Sequence, residues 1–323
     1  IKGQDVAVEK SISIIKRAKT GFSGLQHSSA SKPKGILFFA GPTGTGKTEL
    51  AKAIAELLFG DEGACRRFDM SEYSESHSAQ KLFGAPPGYV GYEAGGQLTN
   101  TIKEHPFSLL LFDEVEKASP TIWDKFLQIL EDGRMTDGQG NTVYFSELEC
   151  LIVFTSNLGI YQDVGGVKKR VVDMNMSYNE LNKVVTKGIQ DYFFSKGKPE
   201  VLNRIGKNLI VFNFIQPEAA KEILFSQINK ICKAVYSMKK IRIEFRNDIV
   251  KEKLYQKVLT NLEEGGRGVG NIVEEYFTTP LSTYVFDNRI ENGQTIIIED
   301  ITGLNSDVSE LEMPKIIASL ERN

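Results

Sequence analysis

The sequence predicts an α/β fold in which a mainly parallel sheet is flanked by helices and followed by a smaller α+β domain. Short apolar runs alternate with helical stretches through the first part of the chain, as in sheets whose strands are joined by crossover helices. One run, at residues 36–39, leads through a glycine-rich loop into an alanine- and leucine-rich helical stretch. After Gln216 this alternation stops. The length of 323 residues is enough for about two domains.

The elements of the predicted sheet follow in order along the chain. An amphipathic helix is expected over residues 4–19, and a polar loop separates it from the strand at 36–39. Further strands are predicted over residues 66–70, 108–112, 150–155 and 208–212. Because helical stretches lie between these strands, the sheet is expected to bind ligands at the carboxyl ends of its strands.

The second domain is predicted from a change of pattern. Two helical runs lie on either side of a short apolar strand, and a further helix leads into a last strand. The predicted elements are helix 217–238, strand 241–245, helix 247–259, helix 269–286 and strand 294–299. The tail after Asp300 is expected to form a final helix or to remain mobile. The predicted boundaries are 1–214 for the large domain, 215–300 for the small domain and 301–323 for the tail.

The loop after the first strand has the pattern GxxxxGKS/T, which is typical of phosphate-binding loops. Glycines without a Cβ let backbone N–H groups converge on phosphate oxygens, and the following helix points its positive N-terminus at the anion. Lys47 would neutralise phosphate charge, and Thr48 offers a hydroxyl to Mg²⁺. The alternative is a chance glycine turn. The predicted nucleotide-binding residues are Gly41, Pro42, Thr43, Gly44, Thr45, Gly46, Lys47, Thr48 and Glu49.

A second apolar strand ends in two carboxylates, Asp113 and Glu114. Asp113 suits the coordination of Mg²⁺, which keeps much of its water and is held by few carboxylates. Glu114 is then placed to act as the general base toward the attacking water. The alternative is a solvated acidic strand end before a helix cap. Together with the phosphate loop, the pair predicts an ATPase that binds ATP and Mg²⁺.

Composition narrows the class of protein. A net charge of −3 and a pI near 5.8 give no general attraction to nucleic acid, and no apolar run approaches the ~20 residues of a membrane helix. The three cysteines show no CxxC spacing and are predicted to be reduced thiols in a cytoplasmic protein. The chain begins at Ile1 without a methionine, so we expect it to be part of a longer protein.

From Ile1 to about Glu299 the chain resembles the second ATPase module of the ClpA/ClpB-type AAA+ unfoldases and disaggregases. The resemblance rests on several motifs that together are far more specific than the ATP-binding motifs alone. These are GPTGTGKTELAKAIAE, FDMSEY, KLFGAPPGYVGYEAGGQLT, LLLFDEVEKA, LQILEDGRMTDGQGNTV, FTSNLG and LNRI.

The segment at residues 84–96, GAPPGYVGYEAGG, mixes prolines and glycines around Tyr89, Val90 and Tyr92. The resemblance implies that it lines the central pore of a ring, where an aromatic and a small apolar residue grip an extended polypeptide. Tyrosine suits this role because it offers a large apolar area with few rotatable bonds. The alternative is that Tyr89 or Tyr92 packs its own loop against the sheet. A second glycine-rich loop, at residues 132–141, resembles the lower pore loop of the family.

The resemblance also implies further site residues. Asn157 resembles the sensor that contacts the γ-phosphate or the attacking water; its alternative is a turn-forming asparagine. Arg204 resembles the arginine finger that one subunit inserts into its neighbour's site; its alternative is a surface ion pair. Arg267 resembles the second sensor, although Gly268 and Val269 follow it where the family has proline and leucine. The predicted adenine contacts are Ile1, Gly3 and Gln4.

The expected partners follow from the same resemblance. They are unfolded or aggregated protein substrates and further copies of the chain, closed into a hexameric ring. Residues 159–198 contain neither of the tripeptides with which family members dock a ClpP-type peptidase, so no such docking is expected. Membrane and nucleic-acid partners are also not expected. Two alternatives stay open: a nucleic-acid AAA+ motor, and a nucleotide-gated scaffold with little turnover.

Overall fold

The computed structural model describes residues 1–20, 35–75, 77–89, 91–145, 150–304 and 313–322. Two compact units are present: nearly all described residues before Phe214 form the first, and those from Phe214 onward form the second. Within the described residues, no helix combines the length and apolar character needed to cross a membrane.

The first unit alternates helices and strands. Its α-helices are α1 (Asp5–Lys19), α2 (Lys47–Phe59), α3 (Ser78–Phe83), α4 (Gln97–Glu104), α5 (Pro120–Asp132), α6 (Tyr178–Ser195) and α7 (Glu200–Ile205). Its strands are β1 (Gly35–Ala40), β2 (Cys65–Asp69), β3 (Leu109–Asp113), β4 (Arg134–Thr136), β5 (Thr142–Tyr144), β6 (Leu151–Ser156), β7 (Tyr161–Val164), β8 (Val167–Arg170) and β9 (Leu209–Val211). Short 3₁₀ turns connect several of these elements.

A five-stranded parallel sheet with the order β2-β3-β6-β1-β9 lies at the centre of this unit. Strands β1, β6 and β3 are adjacent although other elements separate them in the chain, as expected of crossover connections. The predicted α/β class with a parallel sheet is confirmed. The predicted bounds of these five strands lie within one residue of the observed ones.

Both faces of the sheet are buried at β1, β3 and β6, which explains why these strands are apolar rather than alternating, whereas the edge strand β2 carries Arg66 and Arg67. On one face, Phe38, Phe112 and Phe154 pack with aromatic residues of α5 and α6. Trp123 lies edge-on to Phe193 there, with ring centroids 4.8 Å apart. The other face packs against α1 and α2 through Leu37, Phe39, Leu50, Ile54, Leu111, Val153 and Ile14.

Two antiparallel hairpins project from the first unit. Strands β4 and β5 pair with Met135 opposite Val143, and β7 pairs with β8 after the end of β6. The first hairpin contains the glycine-rich loop of residues 132–141. Sequence analysis did not predict the second hairpin, because its polar strands lack the apolar alternation of a half-buried strand.

The second unit contains α8 (Pro217–Lys239), β10 (Arg242–Phe245), α9 (Ile249–Thr260), α10 (Gly265–Val273), α11 (Thr279–Asp287), β11 (Gln294–Ile301) and β12 (Ile316–Arg322). Its sheet has the order β10-β11-β12, with β10 parallel and β12 antiparallel to β11. The predicted helices and strands up to β11 are present, except that the last predicted helix is divided between α10 and α11. The prediction of a helical or mobile tail is wrong for Ile316–Arg322, because pairing with β11 supplies the hydrogen bonds that the local sequence does not specify. Residues 305–312 lie outside the described residues.

The helix predicted over residues 269–286 is interrupted. Between α10 and α11 the chain forms a π-helical turn at Glu274–Thr278. Pro280 is the second residue after this turn, and a proline inside a helix lacks an N–H and clashes with the preceding turn, which widens the local hydrogen-bond pattern.

Candidate functional site

The phosphate loop lies between β1 and α2, as its sequence predicts. Gly41, Gly44 and Gly46 all have positive φ, a conformation that side-chain-bearing residues rarely adopt. At Gly41 a Cβ would also lie 2.7 Å from the carbonyl oxygen of Phe212. Glycine is therefore required there both by the backbone conformation and by the close approach of the chain after β9.

Lys47, the first residue of α2, is 8% exposed. Its Nζ donates hydrogen bonds to the carbonyl oxygens of Gly41 and Pro42, both at 2.8 Å, and to Oδ1 of Asn157 at 2.9 Å. Asn157 is 110 residues away in sequence but directly follows β6, the neighbour of β1. The fold thus brings the predicted lysine and the predicted sensor into contact at the carboxyl ends of adjacent strands.

The other loop residues differ in exposure. Thr45 is buried, and Thr48 is half-buried in the first turn of α2. Glu49 is exposed, and its carboxylate lies 3.0 Å from Nζ of Lys52 on the same helix. Thr48 remains the predicted hydroxyl ligand of the loop, and the carboxylate of Glu49 is engaged with its own helix.

Asp113 ends β3 and is 7% exposed. Its Oδ2 accepts a hydrogen bond from Nε of Arg67 on β2 at 2.8 Å and forms an ion pair with Nη2 of the same guanidinium, also at 2.8 Å. Its Oδ1 accepts a hydrogen bond from the hydroxyl of Thr155 on β6. Arg67 also contacts Asp69 at 3.2 Å. Arg67 and Thr155 were not among the residues predicted from the sequence, although an arginine within a strand that ends in Asp69 is a signal of a charged contact at this edge of the sheet.

Glu114 has φ of 57°, in the left-handed region that non-glycine residues seldom occupy. Its N–H donates to Oγ1 of Thr155 at 3.1 Å, and its Oε2 lies 2.6 Å from Nζ of Lys117. Such a backbone costs on the order of 1 kcal/mol and persists only where its surroundings hold it. The role of Glu114 as the general base stays a prediction.

The donors that could hold Mg²⁺ are the hydroxyl of Thr48 and the carboxylate of Asp113. Hard oxygen atoms and few carboxylates are what Mg²⁺ prefers, since it retains several waters. The chemistry of this donor set therefore fits the ion that the sequence predicts.

Comparison with known proteins identifies the family. A family model for the AAA domain (Cdc48 subfamily) matches residues 32–208. The chain belongs to this AAA family. The predicted ATPase is thereby confirmed, as is the resemblance to ClpA/ClpB-type AAA+ proteins.

Several curated relatives of this AAA chain are similar over nearly its whole length. The chaperone protein ClpB of Bdellovibrio bacteriovorus is 37% identical over 302 residues, which cover 93% of this chain and 32% of that protein. The mitochondrial chaperone protein ClpB4 of Arabidopsis thaliana is 35% identical, covering 94% and 30%. The chloroplastic ClpA homolog CD4B of Solanum lycopersicum is 36% identical, covering 93% and 31%. The chain thus spans about a third of the length of the curated relatives it matches.

The loop at residues 84–96 of this AAA chain is built from successive turns. Tyr89 N–H donates to the carbonyl of Pro86 and Tyr92 N–H to that of Tyr89, both at 3.2 Å. The side chain of Tyr89 is 62% exposed, so in this subunit it does not pack its own loop against the sheet. Tyr92 is half-buried, and Val90 lies outside the described residues.

The loop at residues 84–96 contacts the β4–β5 hairpin. Nε2 of Gln139 donates to the carbonyl oxygens of Tyr92 at 2.7 Å and Glu93 at 3.2 Å. At Gly138 a Cβ would lie 2.1 Å from the carbonyl oxygen of Ala85. Only glycine permits this approach of two backbones, so the two glycine-rich segments form one packed assembly.

Asp137 organises the turn of that hairpin. One carboxylate oxygen accepts the N–H groups of Gln139 at 3.0 Å and Asn141 at 2.8 Å, and the other accepts Nδ2 of Asn141 at 2.9 Å. Burial alone would raise the pKa of Asp137, but these hydrogen bonds outweigh it and hold the pKa below its ordinary value. The ionised carboxylate thereby keeps Gln139 in place.

Arg204 lies on α7, and Nε and Nη2 of its guanidinium are 3.0 and 2.9 Å from Oε1 of Glu131 on α5. Both side chains are partly exposed. The surface ion pair that sequence analysis offered as the alternative therefore describes Arg204 within a single subunit. A role in a neighbouring site stays a prediction.

The remaining predicted residues lie just before α1 and on α10. Gln4 is 3% exposed, and its side-chain amide exchanges hydrogen bonds of 2.8 and 3.0 Å with the backbone of Asn213. Ile1 and Gly3 are exposed in the same segment. Arg267 lies on α10 of the second unit. The assignment of Ile1, Gly3 and Gln4 to adenine and of Arg267 to the second sensor stays a prediction.

Proposed function

We propose that this chain is an ATP-driven protein remodelling motor, which hydrolyses ATP within a ring and pulls unfolded or aggregated polypeptide through a central pore. The observation that carries the proposal is the exposed Tyr89 on a loop packed against the β4–β5 hairpin, in a chain whose fold also brings Lys47 of the phosphate loop into contact with Asn157. The relatives named as ClpB chaperones support the same class of activity.

The hydrolytic chemistry follows from the positions of Lys47, Asn157 and Glu114. Lys47 exchanges its contacts with the loop carbonyls for phosphate oxygens, and the amide of Asn157 orients the γ-phosphate or the attacking water. The carboxylate of Glu114 accepts the proton of that water as it attacks. Asp113 and Thr48 would hold Mg²⁺, which when bound neutralises charge on the phosphate oxygens.

Hydrolysis is proposed to require a neighbouring subunit. Arg204 would leave Glu131 and reach the γ-phosphate of the next subunit, where a planar cation stabilises the charge of the transition state. Such head-to-tail contacts close into rings, and a hexamer is the ring expected here. Arg267 would sense the nucleotide, while Ile1, Gly3 and Gln4 would surround adenine.

Substrate is proposed to contact Tyr89, Val90 and Tyr92. These side chains and the neighbouring Glu93 make a poor track for phosphates, so polypeptide is favoured over nucleic acid. Docking to a ClpP-type peptidase and binding to membranes are not part of the proposal. A cytoplasmic location remains the expectation.

The first experiment compares steady-state ATP turnover alone, with a permanently unfolded protein, and with single-stranded DNA. We expect stimulation by unfolded protein, and its loss in Tyr89→Ala. Tyr161→Ala is the matched control, because Tyr161 is similarly exposed, at 54%, on the other hairpin. Stimulation by DNA alone would instead support a nucleic-acid motor, and absence of turnover would support a scaffold.

The shared site has its own test. A ring made only of Arg204→Ala subunits, or only of Glu114→Gln subunits, is expected to be nearly inactive. Every site in such a ring lacks one catalytic group. Mixing them should restore part of the turnover, since some interfaces then combine an intact Glu114 with an intact Arg204. Turnover in the mixtures that never exceeds the sum of the two mutants would contradict sites shared between subunits.

A further inference from the structure

Glu116 follows the two acidic residues at the end of β3 and lies in the 3₁₀ turn Val115–Lys117. Its Oε1 accepts the backbone N–H of Asn157 at 3.0 Å. Its Oε2 is buried and has no hydrogen-bond partner among the described residues. A buried, unpaired carboxylate oxygen destabilises a fold, so such a group calls for a functional reason.

The position of Asn157 explains what the hydrogen bond from its N–H does. The ladder between β1 and β6 ends at Ala40 and Ser156, so Asn157 is the first residue beyond its pairing. The carboxylate of Glu116 takes the place of a strand partner for that N–H. With Oδ1 bound to Lys47, Asn157 is then held both at its backbone and at its side chain.

The turn that carries Glu116 is itself held in place. The hydroxyl of Tyr192 on α6 donates to the carbonyl oxygen of Glu116 at 3.3 Å. Burial raises the pKa of the Tyr192 phenol, so it remains a hydrogen-bond donor at neutral pH. The ring of Tyr192 packs edge-on against Phe193, with centroids 5.2 Å apart. Glu116 therefore links Asn157 to the aromatic core under the sheet.

We propose that Glu116 is a positioning residue for ATP hydrolysis, which by accepting the N–H of Asn157 holds the Asn157 amide beside Lys47 at the end of β6. This inference rests on the proposed function, because ATP turnover is the reaction it serves. Glu116 itself does not contact the reacting atoms. What its side chain supplies is an acceptor oxygen at a fixed place.

Substitutions of Glu116 can separate the two things that its side chain could supply, a hydrogen-bond acceptor and a negative charge. Glu116→Gln keeps an acceptor oxygen but removes the charge, whereas Glu116→Ala removes both. Glu116→Met also removes the acceptor but fills the space, so it serves if the alanine variant folds poorly. Glu56→Ala is the matched control, because Glu56 is an exposed glutamate on α2.

Two readouts test the proposal together. In Glu116→Ala and Glu116→Met we expect kcat to fall by between about tenfold and a hundredfold, with KM within about twofold, since displacement of a site residue affects the chemical step. Hydrogen exchange at the Asn157 amide, measured without nucleotide, should become faster in both. Glu116→Gln should recover kcat to within about threefold of wild type and restore the protection.

Each opposite result contradicts the proposal. Wild-type kcat and unchanged amide exchange in Glu116→Ala would show that the hydrogen bond does not position Asn157. Glu116→Gln and Glu116→Ala could also lose kcat equally, while hydrogen exchange at the Asn157 amide in Glu116→Gln stays as in the wild type. That result would show that the loss of kcat comes from the missing charge of Glu116. The exchange experiment does not depend on turnover, so it tests the contact even if the proposed ATPase cycle fails.

Discussion

Arg67, in the middle of β2, forms an ion pair with Asp113 at the carboxyl end of the neighbouring β3, with Nη2 of the guanidinium 2.8 Å from Oδ2 of the carboxylate. Arg67 is half-exposed, whereas the side chain of Asp113 is 9% exposed. The carboxylate predicted to face Mg²⁺ is thus already compensated by a cation of the protein. An arginine and a metal ion would compete for the same negative charge.

Removal of Arg67 is therefore expected to strengthen Mg²⁺ binding. In Arg67→Met, the Mg²⁺ concentration that gives half-maximal ATP turnover should fall by about two- to tenfold, because one cationic competitor is lost. Lys81→Met removes a cation that pairs with Glu72 and should leave this concentration unchanged. A higher Mg²⁺ requirement in Arg67→Met would show that Arg67 organises the carboxylate rather than competing for it.

Replacement of Glu114 separates binding from hydrolysis. In Glu114→Gln we expect ATP binding to persist while turnover falls by about 10²- to 10⁴-fold, because an amide cannot accept the proton of water. Fluorescent-nucleotide titration and phosphate release measure the two quantities. Glu104→Gln, an exposed substitution at the end of α4, is the control. Turnover near the wild-type rate in Glu114→Gln would assign the general base to another group.

Gln139 is expected to transmit the state of the β4–β5 hairpin to the loop of Tyr89. Gln139→Ala removes the hydrogen bonds to the carbonyls of Tyr92 and Glu93 and leaves the loop less restrained. The ratio of protein-stimulated to basal turnover should fall by about two- to fivefold, as expected when a positioning contact of about 0.5–1.5 kcal/mol is lost. The same ratio of stimulated to basal turnover in Gln139→Ala and wild type would show that the β4–β5 hairpin and the loop of Tyr89 act independently.

Asp137 predicts how the stability of this region depends on pH. The pKa of Asp137 in the folded protein lies below the ordinary value of 3.8. The ionised carboxylate therefore contributes its full share of folding stability well above pH 3.8, and this contribution is lost as the pH falls below that value. Asp137→Asn should lower stability at pH 7 by on the order of 2 kcal/mol, because charge-assisted hydrogen bonds are lost.

Urea unfolding of the two proteins at pH 7 and at pH 3.5 measures this effect. The difference in midpoint between wild type and Asp137→Asn should narrow at the lower pH, where the wild-type carboxylate begins to take up a proton. A difference that stays constant or widens on acidification would mean that the charge of Asp137 contributes nothing to folding.

The sequence was most informative where the deciding contacts are local. The loop between β1 and α2 was predicted because closely spaced glycines, a lysine and a helix start follow one another within a few residues. Strands β1, β3 and β6 were predicted closely because both of their faces are buried and each is a continuous apolar run. The tail was mispredicted, since Ile316–Arg322 forms a strand only through its pairing with β11.

By itself the sequence determined the α/β class, the phosphate loop and the acidic pair Asp113 and Glu114, because periodicity and turn chemistry are properties of neighbouring residues. The tertiary structure alone decided that Arg67 faces Asp113, that Glu116 holds the backbone of Asn157, and that Gln139 binds the loop of Tyr89. These are hydrogen bonds between residues far apart in the chain. Their partners become neighbours only when the strand order and loop packing are complete, and no local pattern records that order.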